Sequence, residues 1–250
     1  MIHRLLRFSF ARHLIAASSA VLLCAALPAS AAVIGFQSQA AFNAAASGWA
    51  STTTNFDSVP AGSTSYAAGT GPAGSGFTMT LGGSDAGSFV PAVGNQYWTT
   101  SGSNYLGLNN GDTAFEQGDT LTFNFTSAVR AFGFYVVGTE DVSAGDYSLT
   151  TGGSSVNNPD KAAAQTDGNG SFAYFLGFVA DGVGEGFTSV SFSVADHGLR
   201  FNLPTSLDDI IVAAVPPDTG NPGTVPEPGS VALMLAGLLC FGAVQRRSRQ

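Results

Sequence analysis

Cysteine is almost missing from this sequence, and its two occurrences, Cys24 and Cys240, fall in the apolar runs near either end. The chain between them therefore has no disulfide framework, no cysteine zinc site and no thiol nucleophile. Histidine is as scarce there: only His197 occurs, in Ala195-Asp196-His197-Gly198, a turn setting where a lone imidazole is ordinarily structural or solvated. Charged residues make up 10% of the chain, and positive charge is nearly excluded from its middle. Arg4, Arg7 and Arg12 stand at one end and Arg246, Arg247 and Arg249 at the other. Only Arg130, Lys161 and Arg200 lie between, against sixteen acids from Asp57 to Asp218, which leaves that central region a net charge of −13. Such a surface repels nucleic acid and anionic lipid, and it attracts divalent cations. No Gly-x-Ser-x-Gly elbow occurs, and the Gly-rich stretch 69–76 lacks the Lys-Ser/Thr of a phosphate loop. No repeat of fixed period stands out. A nucleophile paired with a base is thus not visible, and a non-enzymatic protein is expected. A hydrolase built on two carboxylates is the less favoured alternative, because the acids sit in solvated, turn-like settings.

What the sequence has instead is Gly (32), Phe (19) and abundant Ser and Thr. Gly and Ser at close intervals among Phe, Val and Thr read as short strands joined by tight turns. Residues 33–36 form a first strand, and 38–47 (SQAAFNAAAS), opened by Ser and Ala-rich, the one short helix. Segments 53–57, 76–81 and 105–108 are further strands. Residues 119–125 (DTLTFNF) alternate apolar and polar side chains with period two, the mark of a half-buried strand, whereas 131–137 (AFGFYVV) is continuously apolar and central. Segments 147–151, 172–179, 188–194 and 207–213 complete the set, with turns at Asn110-Gly111, Gly152-Gly153 and Asp167-Gly168. The expected fold is all-β: an antiparallel two-sheet sandwich, jelly-roll-like, with one short N-terminal helix, over residues 32–215.

Both ends read as addresses. Residues 1–31 combine a basic start, an apolar run over 14–27 and the small-residue site Pro28-Ala29-Ser30-Ala31, the three parts of a signal peptide cut by signal peptidase. At the other end a Pro/Gly-rich linker, 216–224, leads into Val225, Pro226, Glu227 and Pro228. An apolar helix over 231–244 and a basic end, 246–249, follow. That apolar span is shorter than the ~20 residues that cross a bilayer comfortably, so membrane anchoring through it is expected to be transient. The arginines stay on the cytoplasmic side.

Pro-Glu-Pro, an apolar helix and an arginine cluster, in that order, resemble the tail of PEP-CTERM proteins. The resemblance implies recognition by exosortase, a membrane cysteine protease and transpeptidase-like enzyme. Val225, Pro226, Glu227 and Pro228 would be its recognition site, and Arg246, Arg247 and Arg249 a topological stop. It further implies a Gram-negative bacterium and a destination at the cell surface or in an extracellular matrix rich in exopolysaccharide. The stretch 55–62 (NFDSVPAG) and the closing 206–212 (SLDDIIV) resemble the passenger domains that precede such tails, which look like galactose-binding jelly rolls.

Two groups of candidate site residues emerge. In a strand over 207–212, alternation sends Asp208 and Asp209 to opposite faces, so one carboxylate shares a face with the core. A buried carboxylate needs donors or a hard cation. Either the Asp lies at the strand end, bonded to loop amides, or a structural calcium is held, as the galactose-binding resemblance suggests, with Asp57 on its other side. The second group is aromatic: Tyr97 and Trp98, with Tyr105, Trp49 and Tyr66, lie in polar, Gly-rich surroundings where a flat ring either stacks on a sugar or plugs the sandwich. The alternative to a purely structural matrix protein is therefore a carbohydrate-binding module with a structural calcium.

Overall fold

Side chains of a strand point alternately to its two faces, so a sheet with one covered face shows alternation and a sheet covered on both sides does not. Both patterns are present here, and they mark two layers. The computed structural model describes residues 32–64, 66, 70–72, 75–139, 141–182, 185–195 and 204–215. The signal segment 1–31, His197, the linker 216–224, the motif Val225, Pro226, Glu227 and Pro228, the apolar helix expected over 231–244 and Arg246, Arg247 and Arg249 lie outside the described residues.

The elements are β1 (Val33–Phe36), α1 (Gln39–Ala45), β2 (Ser51–Thr54), β3 (Phe77–Gly83), β4 (Pro91–Gly94), β5 (Tyr105–Leu108) and β6 (Asp119–Thr139). They continue with β7 (Tyr147–Thr151), β8 (Ser154–Asn157), β9 (Gln165–Thr166), β10 (Ser171–Ala180), β11 (Phe187–Val194) and β12 (Ser206–Ala214). All of the strand pairings are antiparallel. The expected all-β antiparallel architecture with one short helix is what the structure has.

Strand β6 organises it. Its first half pairs with β3 on one side and β11 on the other, and β11 continues to β7 and β8; this is layer A. Its second half pairs with β10 and β12, with β1 and β9 beyond β10, and β2, β5 and β4 beyond β12; this is layer B. Between the halves Thr126 and Ser127 are exposed, and the register shifts on both flanks. The strand turns a corner there and folds back on itself, since Phe123 reaches Phe132 (4.8 Å) and Phe134 (5.7 Å), residues that a straight strand would hold ~30 Å away. The separate strands expected at 119–125 and 131–137 are therefore one.

Phe rings from both layers meet between them. Phe125 lies 5.1 Å from Phe132, Phe134 5.6 Å from Phe192 and Phe178 6.5 Å from Phe187, at steep edge-to-face angles. Each such ring contributes ~1.5–3 kcal/mol by leaving water. The flank between β1 and β8 is joined by Gln37 Nε2 donating to the Asn157 carbonyl at 2.7 Å. The β7–β8 hairpin turns on Gly152 and Gly153, both at positive φ (54° and 87°), as a two-residue loop matched to strand twist requires.

Layer B carries a second apolar cluster on its outer side: Phe42, Ala131, Tyr135, Val137, Phe175, Val179 and Ile211 among others. Phe42, the one buried residue of α1, docks the helix onto it. It sits over Gly177, where an added Cβ would come within 2.9 Å of the Phe42 ring, and packs on Phe175 at 5.2 Å. Coverage on both faces explains why 131–137 is unbroken apolar sequence.

Candidate functional site

The loop 95–104 between β4 and β5 folds over the outer side of layer B, and the sequence-derived candidates gather around it. Asp208 is fully buried. Its Oδ2 accepts from the Thr100 amide (2.8 Å), the Thr100 hydroxyl (2.8 Å) and the Ser101 amide (3.0 Å), and its Oδ1 from the Asp209 amide (2.8 Å). Asp209 accepts from the hydroxyls of Ser101 (2.7 Å) and Thr100 (3.1 Å). Asp57 reaches the same loop from another side, taking the amides of Ser103 (2.7 Å) and Asn104 (3.1 Å) on Oδ1. Asn104 completes the link by donating to the Val59 carbonyl at 2.8 Å. Gly102 stands at φ +53°, and any Cβ there would overlap the Asp57 carboxylate.

The alternation expected along β12 fails at this point, for a physical reason. Asp209 has φ +50°, and the pairing with β6 skips from Asp208–Tyr135 to Ile211–Gly133. This bulge inserts a residue and resets the parity, so that Leu207, Ile210 and Val212 all face the inner core. Neither carboxylate shares that face. Asp208 points outward beside Tyr135, beneath the loop, where burial raises its pKa first and the Asp209 charge raises it further, against the loop donors that lower it.

The three acids are thus joined through the loop by amide and hydroxyl donors. Among the described residues no three His, Cys, Asp or Glu side chains are placed to hold a metal ion.

The aromatic candidates divide. Tyr97 and Trp98 are half-buried, Tyr97 with its ring 5.9 Å from Tyr105 and Trp98 against the outer cluster of layer B. Tyr105 and Tyr66 are buried and hold structure: Tyr105 packs inside with its hydroxyl 2.8 Å from Thr113, and Tyr66 packs on Phe56 at 6.1 Å. Trp49 lies half-buried after α1.

An acidic rim adjoins Tyr97. Asp119 is buried and accepts the amides of Asp85 (3.0 Å) and Glu116 (2.9 Å). Burial raises the pKa of both Asp119 and Glu116, and neighbouring acids raise Glu116 further. Tyr97 is likewise raised, by burial first and then by Asp112. Sequence reasoning passed over Thr100, Ser101, Gly102 and Asn104, whose only signal was a Ser/Thr/Gly/Asn run of the kind that makes turns.

Residues 224–247 match the PEP-CTERM protein-sorting motif. The motif implies an exported protein, sorted through exosortase to the cell envelope of a Gram-negative bacterium. No curated protein matches the chain. Among solved structures, the K2 cleaved adhesin domain of Lys-gingipain is similar at 13% identity over 65% of this chain and 99% of that one, with a TM-score of 0.41. The enzymatically active domain of tailspike protein 4 of bacteriophage CBA120 is similar at 16% identity over 56% of this chain and 19% of that one, with a TM-score of 0.29.

Proposed function

We propose that the chain is a non-enzymatic protein of the cell surface or extracellular matrix, whose sandwich associates with exopolysaccharide through the loop bearing Tyr97 and Trp98. Signal peptidase and exosortase are its processing partners, and the apolar tail anchors it only until it is cut. The observation that carries this reading is the way Asp57, Asp208 and Asp209 are used. Their oxygens hold the loop through its amides and hydroxyls, so they act as scaffold. A loop fixed before binding loses little conformational freedom when a ligand arrives. Half-buried aromatic rings beside it offer flat faces to the C–H side of a sugar. The acidic rim turns away polyanions and favours a neutral polymer.

The test is a glycan array probed with the purified full chain and its Trp98→Ala variant, each with calcium and with chelator. Retention of a neutral polysaccharide, weakened tenfold or more by the substitution and indifferent to chelation, is the expected result. No glycan retained under either condition sinks the reading. The sorting arm is separate: in cells, Pro226→Ala with Pro228→Ala should leave the tail uncut.

A further inference from the structure

A cavity of about 300 Å³ lies between α1, β2 and β12, with Phe42 in its wall. Three elements each turn one face to it. Gln39, Phe42 and Asn43 share a helix face by their spacing, while Thr53 and Ile211, paired across β2 and β12, line it from the strands. Trp49, from the turn between α1 and β2, adds an aromatic wall. Its ring is fixed by Arg130, whose guanidinium carbon lies 4.3 Å from the ring centroid and whose Nη2 donates to the Gly182 carbonyl. No ionisable side chain lines the cavity, although the surrounding chain is strongly acidic. The Asn43 amide and the Thr53 hydroxyl bond to no other group among the described residues.

We infer that this cavity binds one neutral pyranose unit, with Trp49 against its C–H face and Gln39, Asn43 and Thr53 meeting its hydroxyls. The inference deepens the polysaccharide reading and rests on it. An aromatic wall set among uncharged donors and acceptors, Gln39, Asn43, Ser47, Ser51 and Thr53, suits a polyol that has one apolar face. The volume stands at the low end for ligand pockets (~300–1,000 Å³), so a single ring enters and the rest of a polymer stays outside. With no cation in the lining, a uronate would leave its carboxylate unpaired.

The chain has two tryptophans, Trp49 in the cavity and Trp98 in the loop, so each site can be read alone. The full chain carrying Trp98→Phe is titrated with the methyl glycosides of glucose, galactose and mannose, and with glucuronate. A saturable change in Trp49 emission with at least one neutral glycoside and none with glucuronate is expected. Asn43→Ala, at an exposed helix position, should weaken that response tenfold or more with an unchanged far-UV spectrum, and Thr53→Val should do the same. The inference is overturned by a silent Trp49, by a response to glucuronate alone, or by a response that both variants leave intact. The converse variant, Trp49→Phe, reports on the loop. If Trp98 responds while Trp49 is silent, the cavity falls and the loop reading stands; if both are silent, both fall.

Discussion

On layer A the outward positions of β3 (FTMTLGG), β6 (DTLTFNF), β11 (FTSVSFSV), β7 (YSLTT) and β8 (SSVN) are Ser, Thr, Asn or Gly, with no charge among them. On layer B the same positions are Ala131, Tyr135, Phe175 and Ile211, and α1 and the loop 95–104 lie across them. A face left to water completes its hydrogen bonds with hydroxyls that reach one another, as Thr122 and Ser191 do at 2.6 Å. A face to be covered must be apolar, and its cover rarely fits without gaps. The cavity beside α1 and the pinned loop both arise from that imperfect cover. Binding surfaces concentrate where a rigid scaffold carries such irregular pieces.

Removing the cover should hurt most. Phe42→Ala leaves α1 without its only buried anchor, and a loss of ~3–5 kcal/mol is expected in urea unfolding, together with loss of any ligand response at Trp49. Asp208→Asn keeps the shape but sets an amide against the donors of Thr100 and Ser101; a loss of ~2–3 kcal/mol is expected, with a red shift of Trp98 emission as the loop lifts. A smaller cost, ~1–2 kcal/mol, should follow Gly102→Ala, which strains a positive φ and crowds Asp57. On the uncovered face, Thr122→Val breaks a hydroxyl pair yet should shift stability by only ~0.5 kcal/mol and leave Trp98 emission unchanged. If Thr122→Val cost as much as Asp208→Asn, the contrast between the faces would collapse.

The acidic rim gives the smallest effect and a sign. Burial and neighbouring acids hold Glu116 above its unfolded pKa, so the folded state binds its proton more tightly. Stability through this group is fully present below the unfolded value and is lost as pH rises through the folded one. Solvent screens this partly exposed carboxylate, so Glu116→Gln should raise stability at pH 7 by no more than about 0.5 kcal/mol and flatten the fall of Tm as pH rises above the ordinary carboxylate range.

Much of this was legible along the chain. The alternation of 119–125 marked a strand with one wet face, and Gly152-Gly153 marked a turn. The strand after that turn, Ser154–Asn157, gave no signal because SSVN has a single apolar residue to bury. β4 (PAVG) opens on Pro, which no interior strand position tolerates, and it sits at the edge. Asp57, Asp208 and Asp209 drew notice because carboxylates beside apolar strands need partners. What those partners were depended on residues 99–104, over a hundred positions from Asp208.

By itself the sequence determined the periodicities, the turns, the acidic surface and the C-terminal sorting motif, because each is written in neighbouring residues. Only the tertiary structure decided that 119–139 is one strand bent between two layers and that a bulge at Asp209 keeps its carboxylate, like that of Asp208, off the face between the layers. It alone decided that three distant carboxylates hold one loop, and that Trp49 borders a cavity with no charge in it. Those outcomes are set by which segments pack together across long separations, and local pattern carries no record of them.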